Sequence, residues 1–134
     1  IPCLQPPWGT VSAVDLATGK HIWQQPAGTA KDIAIGSFQP GLGFTVAPPP
    51  LGGAMVTGGG IAWFGAFQDY YLRAYDSKSG KQLWQGRLPI GAQTTPISYI
   101  GKDGRQYIVI SAGGSRYNMA RWGDYVVAFA LPHE

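Results

Sequence analysis

Short stretches of alternating apolar and polar residues, each closed by Gly, Asp or Pro, run the length of the chain. A period of two is the signature of a strand with one face buried. It predicts strands at Thr10–Asp15, His21–Gln25, Ala54–Thr57, Ile61–Phe67, Tyr71–Asp76, Gln82–Arg87, Thr95–Ile100, Gln106–Ser111 and Tyr125–Leu131. The continuous apolar runs, such as Tyr125–Leu131, are far shorter than the roughly 20 residues of a membrane-crossing helix.

Two segments repeat one another. Ala13-Val14-Asp15-Leu16-Ala17-Thr18-Gly19-Lys20-His21-Ile22-Trp23 returns as Ala74-Tyr75-Asp76-Ser77-Lys78-Ser79-Gly80-Lys81-Gln82-Leu83-Trp84, an offset of 74 − 13 = 61 residues. In each, a strand ends at an Asp whose carboxylate can accept backbone N–H groups two or three residues on. A Gly then supplies the positive φ that reverses the chain, and a second strand carries a large ring to bury against a neighbour. Two ordinary hairpins could share turn chemistry by chance, but five identities and two close substitutions in one spacing speak against it.

Four-stranded blades are the natural grouping, each Trp unit spanning a third and a fourth strand. The expected fold is all-β, a partial β-propeller of two to three blades. Residues 1–31 would end one blade, 54–93 would form a complete blade, and 94–134 would give three strands of the last. Residues 32–53, rich in Gly and Pro, read as an inter-blade insertion, and Phe38, Leu42, Phe44, Val46 and Leu51 predict that it packs on something.

Composition narrows the class. In 134 residues, enough for one domain, 45% are hydrophobic and 13% charged, which excludes a disordered chain. Gly 20 and Pro 11 exclude a helical bundle. The net charge is +3, but the ten Lys and Arg are scattered rather than striped, so no nucleic-acid partner is expected. Cys3 stands alone, without disulfide or zinc-ligand spacing. No signal peptide is expected in this stretch, and an opening of Ile1-Pro2-Cys3 in proline-rich apolar sequence reads as a piece of something longer.

With these residues in view, the doubled unit resembles the tryptophan-docking motif of eight-bladed quinoprotein dehydrogenase propellers. Pro2-Cys3, Gln5-Pro6-Pro7-Trp8-Gly9-Thr10, Leu51-Gly52-Gly53 and Gln68-Asp69-Tyr70-Tyr71-Leu72-Arg73-Ala74 are similar to late blades of the membrane-bound enzymes. Ser111-Ala112-Gly113-Gly114 and Gly123–Pro132 resemble their extreme C-terminus. The resemblance covers essentially the whole chain. It implies the C-terminal portion of a membrane-bound, pyrroloquinoline-quinone (PQQ)-dependent dehydrogenase of the glucose, quinate and shikimate group. It further implies a membrane anchor, and a propeller on the periplasmic side of the bacterial inner membrane that holds PQQ and calcium. The implied reaction oxidises a hydroxyl of a small polyol or cyclic hydroxy acid to a carbonyl and passes electrons to ubiquinone.

In that family the catalytic Asp and the calcium ligands come from earlier blades. No catalytic or metal-ligating residue is therefore expected here, and the piece alone would be inactive, contributing walls of a site completed by the remaining blades. Asp69 takes a cofactor-side role from the resemblance, although a turn-capping Asp has the same local look. Trp8, on a Pro-stiffened approach, could lie against the cofactor or fill an inter-blade core. Ser115 and Arg116 stand where the glucose enzymes carry a His after paired glycines. That departure favours quinate or shikimate, whose carboxylate Arg116 could pair with bidentately; the other reading is an exposed loop Arg, and Arg121 is a weaker candidate. Asp15, Gly19, Trp23, Asp76, Gly80 and Trp84 are assigned to Trp docking, and neither His21 nor His133 makes a convincing base. The competing readings are a non-catalytic propeller scaffold of the bacterial envelope, which has no reason to carry the Trp8 and Asp69 segments, and a carbohydrate-binding module.

Overall fold

The computed structural model describes residues 3–33, 41–45, 47, 50–66, 68–114 and 121–132. Nine strands follow in order: β1 (Thr10–Val14), β2 (His21–Pro26), β3 (Met55–Thr57), β4 (Ile61–Gly65), β5 (Tyr71–Asp76), β6 (Gln82–Arg87), β7 (Ile97–Ile100), β8 (Gln106–Gly114) and β9 (Trp122–Ala130). They form three antiparallel sheets ordered β1-β2, β3-β4-β5-β6 and β7-β8-β9. Among the described residues no helix is long and apolar enough to cross a membrane.

The middle sheet is apolar on both faces because its alternation feeds two interfaces. Ala62 and Phe64 of β4, with Tyr75 of β5, pack with Val11, Ala27 and Ala66 toward the first sheet. Leu72 of β5 packs with Leu88, Ile90, Ile108 and Ile110 toward the third. Leu72 is fully buried. The register pairs Phe64 with Arg73 and Ala62 with Tyr75, so Arg73 shares the face turned to the first sheet.

Strand ends depart from the alternation pattern where the ladder's partners change. Expected from Thr95, β7 begins at Ile97, after Pro96, which has no N–H for a ladder. Thr94 Oγ1 donates to Ser111 O at 3.0 Å and Thr95 Oγ1 accepts from Gly53 N–H at 3.0 Å, so both threonines use their side chains instead. β8 runs through Ala112-Gly113-Gly114 and β9 starts at Trp122, because Ala112 pairs with Tyr125 and Gly114 with Trp122. β4 stops at Gly65, and Ala66 N–H donates to Tyr71 O at 3.1 Å to close the turn.

Within this chain the insertion docks through its backbone. Leu42, Phe44 and Leu51 are exposed, while Ala47 is fully buried. Backbone bonds hold the segment: Gly9 N–H donates to Ala47 O, and Ala30 N–H donates to Phe44 O at 3.0 Å. A small residue can bring the main chain close where a Phe would hold it off. Phe38 and Val46 lie outside the described residues.

The two repeated turns are built alike. Asp15 Oδ1 accepts Ala17 N–H at 2.8 Å and Thr18 N–H at 2.9 Å. Asp76 Oδ1 accepts Ser79 Oγ at 2.8 Å, Ser79 N–H at 2.7 Å and Lys78 N–H at 3.1 Å. Trp23 then lies across the first interface, its Nε1 donating to Ser77 O at 2.9 Å and its ring stacked on Tyr75 at 6.4 Å. Trp84 is 39% exposed and meets Trp63 and Phe129 edge-on at 5.9 and 5.1 Å, lining a cleft of ≈ 570 Å³ between the second and third sheets.

The Ser79 side-chain and backbone donors hold the Asp76 carboxyl below its ordinary value, and Lys78 adds to this. A depressed folded value contributes stability above the unfolded value, about pH 4, that is lost as pH falls through the folded one. Asp76→Asn is therefore expected to be less stable than wild type at pH 7, with the gap narrowing by pH 3. Denaturation midpoints at both pH values read this, and an equal gap at each would contradict it.

Candidate functional site

The antiparallel order sorts the connections into two ends. The hairpins at residues 15–20, 58–60, 77–81 and 101–105 lie at one end. The other gathers the approach to β1, the exit from β2, the turn between β4 and β5, the exit from β6, and the Gly113-Gly114 end of β8. Trp8 and Asp69 are thus at one end with the point from which Ser115 and Arg116 continue; those two residues lie outside the described set, as does His133.

Asp69 is fully buried. Thr29 N–H and Oγ1 donate to its Oδ2 at 2.8 and 2.9 Å across 40 residues of sequence. Arg73 Nη1 donates to Oδ1 at 3.0 Å, and Arg73 Nη2 pairs with Oδ2. Burial opposes the charge on Arg73, but the bonds and attraction of Asp69 outweigh it and raise the guanidinium above its ordinary value. Burial pushes the neighbouring Tyr75 phenol up as well. The carboxylate is a tie between the exit of β2 and the β4–β5 turn, with both oxygens engaged by the chain itself.

Gly28 is the residue that lets the two elements meet. Its φ is +96°, and an added Cβ would lie 2.7 Å from the Ala66 Cβ and 3.3 Å from each Asp69 oxygen. Gly9, next to Trp8, accepts Ala27 N–H at 3.0 Å, which brings the Trp8 approach alongside the same exit. Trp8 is half-buried, and its Nε1 donates to Leu4 O at 2.7 Å.

A second polar group stands beside the first. Arg87, at the end of β6, bonds Asp32 Oδ2 and Oδ1 at 2.5 and 2.6 Å and donates to Asp69 O at 2.9 Å. Its guanidinium lies over Tyr70 and Tyr71, 5.2 and 4.9 Å from the ring centroids. Lys31 Nζ and Arg73 also face Tyr71, at 5.9 and 5.5 Å. Arg73 and Arg87 are already paired with Asp69 and Asp32, leaving the Tyr71 ring and the exposed Lys31 ammonium as the groups that could meet a flat, anionic ligand. Among the described residues no group of three or more His, Cys, Asp or Glu could hold a metal ion.

Sequence reading singled out Asp69 and Trp8 but missed Thr29, Arg73, Asp32 and Arg87. The available signal was Arg73 itself, a charge inside the apolar run Tyr71-Leu72-Arg73-Ala74-Tyr75 of a strand expected to be central. Such a charge requires a buried partner. The Asp four residues earlier was the nearest one.

Residues 1–108 match the family described as PQQ: glucose/ethanol/alcohol dehydrogenase, β-propeller domain. The chain is 49% identical over 132 residues to the quinate/shikimate dehydrogenase (quinone) of Acinetobacter baylyi (strain ATCC 33305 / BD413 / ADP1), covering 98% of this chain and 16% of that one. It is 44% identical over 134 residues to the quinoprotein glucose dehydrogenase of Escherichia coli (strain K12), covering all of this chain and 17% of that one. In fold it is similar to the quinohemoprotein alcohol dehydrogenase from Comamonas testosteroni, with a TM-score of 0.65 and 23% identity over 90% of this chain and 16% of that one. The chain thus spans about a sixth of the length of the relatives it matches. It belongs to the PQQ-dependent glucose/ethanol/alcohol dehydrogenase family, as part of that family's β-propeller domain.

Proposed function

We infer that the chain supplies late blades to a quinone-dependent dehydrogenase that oxidises a hydroxyl of quinate or shikimate, or of glucose or another polyol, to a carbonyl. The observation that carries this reading is similarity over 98–100% of this chain to enzymes so named, combined with the convergence of Trp8, the Asp69 turn and the Gly113-Gly114 exit at one end of the sheets. A bare scaffold would need the docked Trp23 but has no reason to carry the Gln5-Pro6-Pro7-Trp8-Gly9 approach.

When bound, PQQ supplies the two-electron acceptor for the alcohol. Lys31 and Tyr71, with Trp8 nearby on the β1 approach, would form part of its wall. The Asp69 tie fixes where that wall stands, and Arg116, following Ser115, would pair with a carboxylate on the substrate. Calcium, ubiquinone as electron acceptor and a periplasmic, membrane-anchored setting belong to the same proposal, with the ion's ligands and the general base on the remaining blades.

The test is a substrate panel on the full-length protein reconstituted with PQQ and calcium, using glucose, quinate, shikimate and simple polyols. Turnover of quinate or shikimate is expected, with Arg116→Ala raising KM for these acids and leaving uncharged polyols unaffected. Activity on glucose alone would overturn the assignment of Arg116. A protein inert to every substrate, with PQQ and calcium present, would favour the envelope scaffold.

A further inference from the structure

Each described carbonyl of the β4–β5 turn is held. Ala92 N–H donates to Ala66 O at 3.3 Å, Asp32 N–H to Gln68 O at 2.8 Å and Leu88 N–H to Tyr70 O at 2.7 Å. The Asp69 carbonyl is the exception in kind, since its donor is a side chain, Arg87. Tyr70 sits at φ +46°, in the left-handed region that residues other than Gly avoid. A turn kept in that conformation depends on the ties around it.

Arg87 is unusually well aimed. Asp32 takes both ends of its fork, and two tyrosine rings fix its plane. Asp32 is itself anchored to the turn, because its N–H holds Gln68 O while its carboxylate holds Arg87. The side chains are 46% and 15% exposed, so as a bare surface ion pair they would matter little. What distinguishes the pair is geometry: two residues 55 positions apart grip successive carbonyls of one turn.

We propose that Asp32 and Arg87 form a brace that sets the placement of the Asp69 turn, and that they act as positioning residues for the quinone and substrate bound at that end. The inference rests on the dehydrogenase reading above. Neither residue needs to touch the ligand. Displacement of a site wall by about 1 Å can lower turnover by about a hundred-fold, so loosening one carbonyl anchor is enough to be felt.

The experiment uses the full-length protein loaded with PQQ and calcium. Arg87→Lys keeps the charge but loses the fork, and Asp32→Asn keeps the backbone bond but loses the ion pair. Each is expected to lower kcat/KM about ten-fold. Because the two act as one device, the double variant should lose about as much as either single one. A merely structural role would instead lower the thermal midpoint and leave kcat/KM intact at temperatures well below it. If Arg87→Lys does not fold, Asp32→Asn, a change on a partly exposed side chain, reads the same brace. Active wild type with both variants within about two-fold of it, or with losses that multiply, overturns the brace alone. Wild type without quinone-dependent turnover overturns the dehydrogenase reading and the brace's role together.

Discussion

Arg73→Met is expected to destabilise the fold by about 3–5 kcal/mol, because it removes one partner of a buried ion pair and leaves the other charged. Asp69 has no solvent to fall back on, and the two Thr29 donors alone would have to support it. Met matches the length of the Arg stem, so packing against Phe64 and Tyr75 is largely kept and the loss reports electrostatics. Adding Asp69→Asn should restore part of the stability, since the second substitution removes the stranded charge. Urea denaturation followed by Trp fluorescence gives both numbers. If Arg73→Met costs less than about 1 kcal/mol, or the double variant is worse than the single one, the pair is not what joins the β2 exit to the β4–β5 turn.

That pair also shows where sequence reading reaches its limit. Alternation located the strands because burial of one face imposes period two, whatever the partners are. It misjudged ends such as Ala112-Gly113-Gly114, where a Gly pair reads as a break although Trp122 and Tyr125 continue the ladder opposite. Within this chain the insertion shows a related effect. Leu42 and Phe44 are exposed in this chain, and among the described residues of the insertion Ala47 is the one buried, since the contact is main chain to main chain. The duplicated motif was legible because Asp, Gly and Trp act within eleven residues. The site was only half legible. Asp69 stood out within a recognisable segment, whereas Thr29 and Arg87 meet it across 40 and 18 residues that no local pattern connects.

Gly80→Ala is expected to cost about 2–4 kcal/mol, and Gly19→Ala only about 1 kcal/mol, although the two glycines occupy the same place in the repeat. Their backbones are nearly identical, at φ +67° for Gly19 and +70° for Gly80, so the strain of a Cβ in the left-handed region is common to both. Their surroundings differ. Among the described residues nothing lies within 4 Å of a Cβ at Gly19, whereas one at Gly80 would sit 2.6 to 2.8 Å from three ring atoms of Trp23. The difference between the two substitutions therefore isolates the docking of Trp23 on the next blade, free of the turn's own preference. Trp23 cannot simply retreat, because its Nε1 bond to Ser77 O and its contact with Tyr75 fix the ring from two sides. In a Trp23→Ala background the obstacle is gone, and Gly80→Ala should then cost no more than Gly19→Ala. Equal losses for the two glycine variants in the native background would mean that the ring yields freely, and that the interface between the first two sheets rests on Val11, Phe64 and Tyr75 rather than on the docked Trp23.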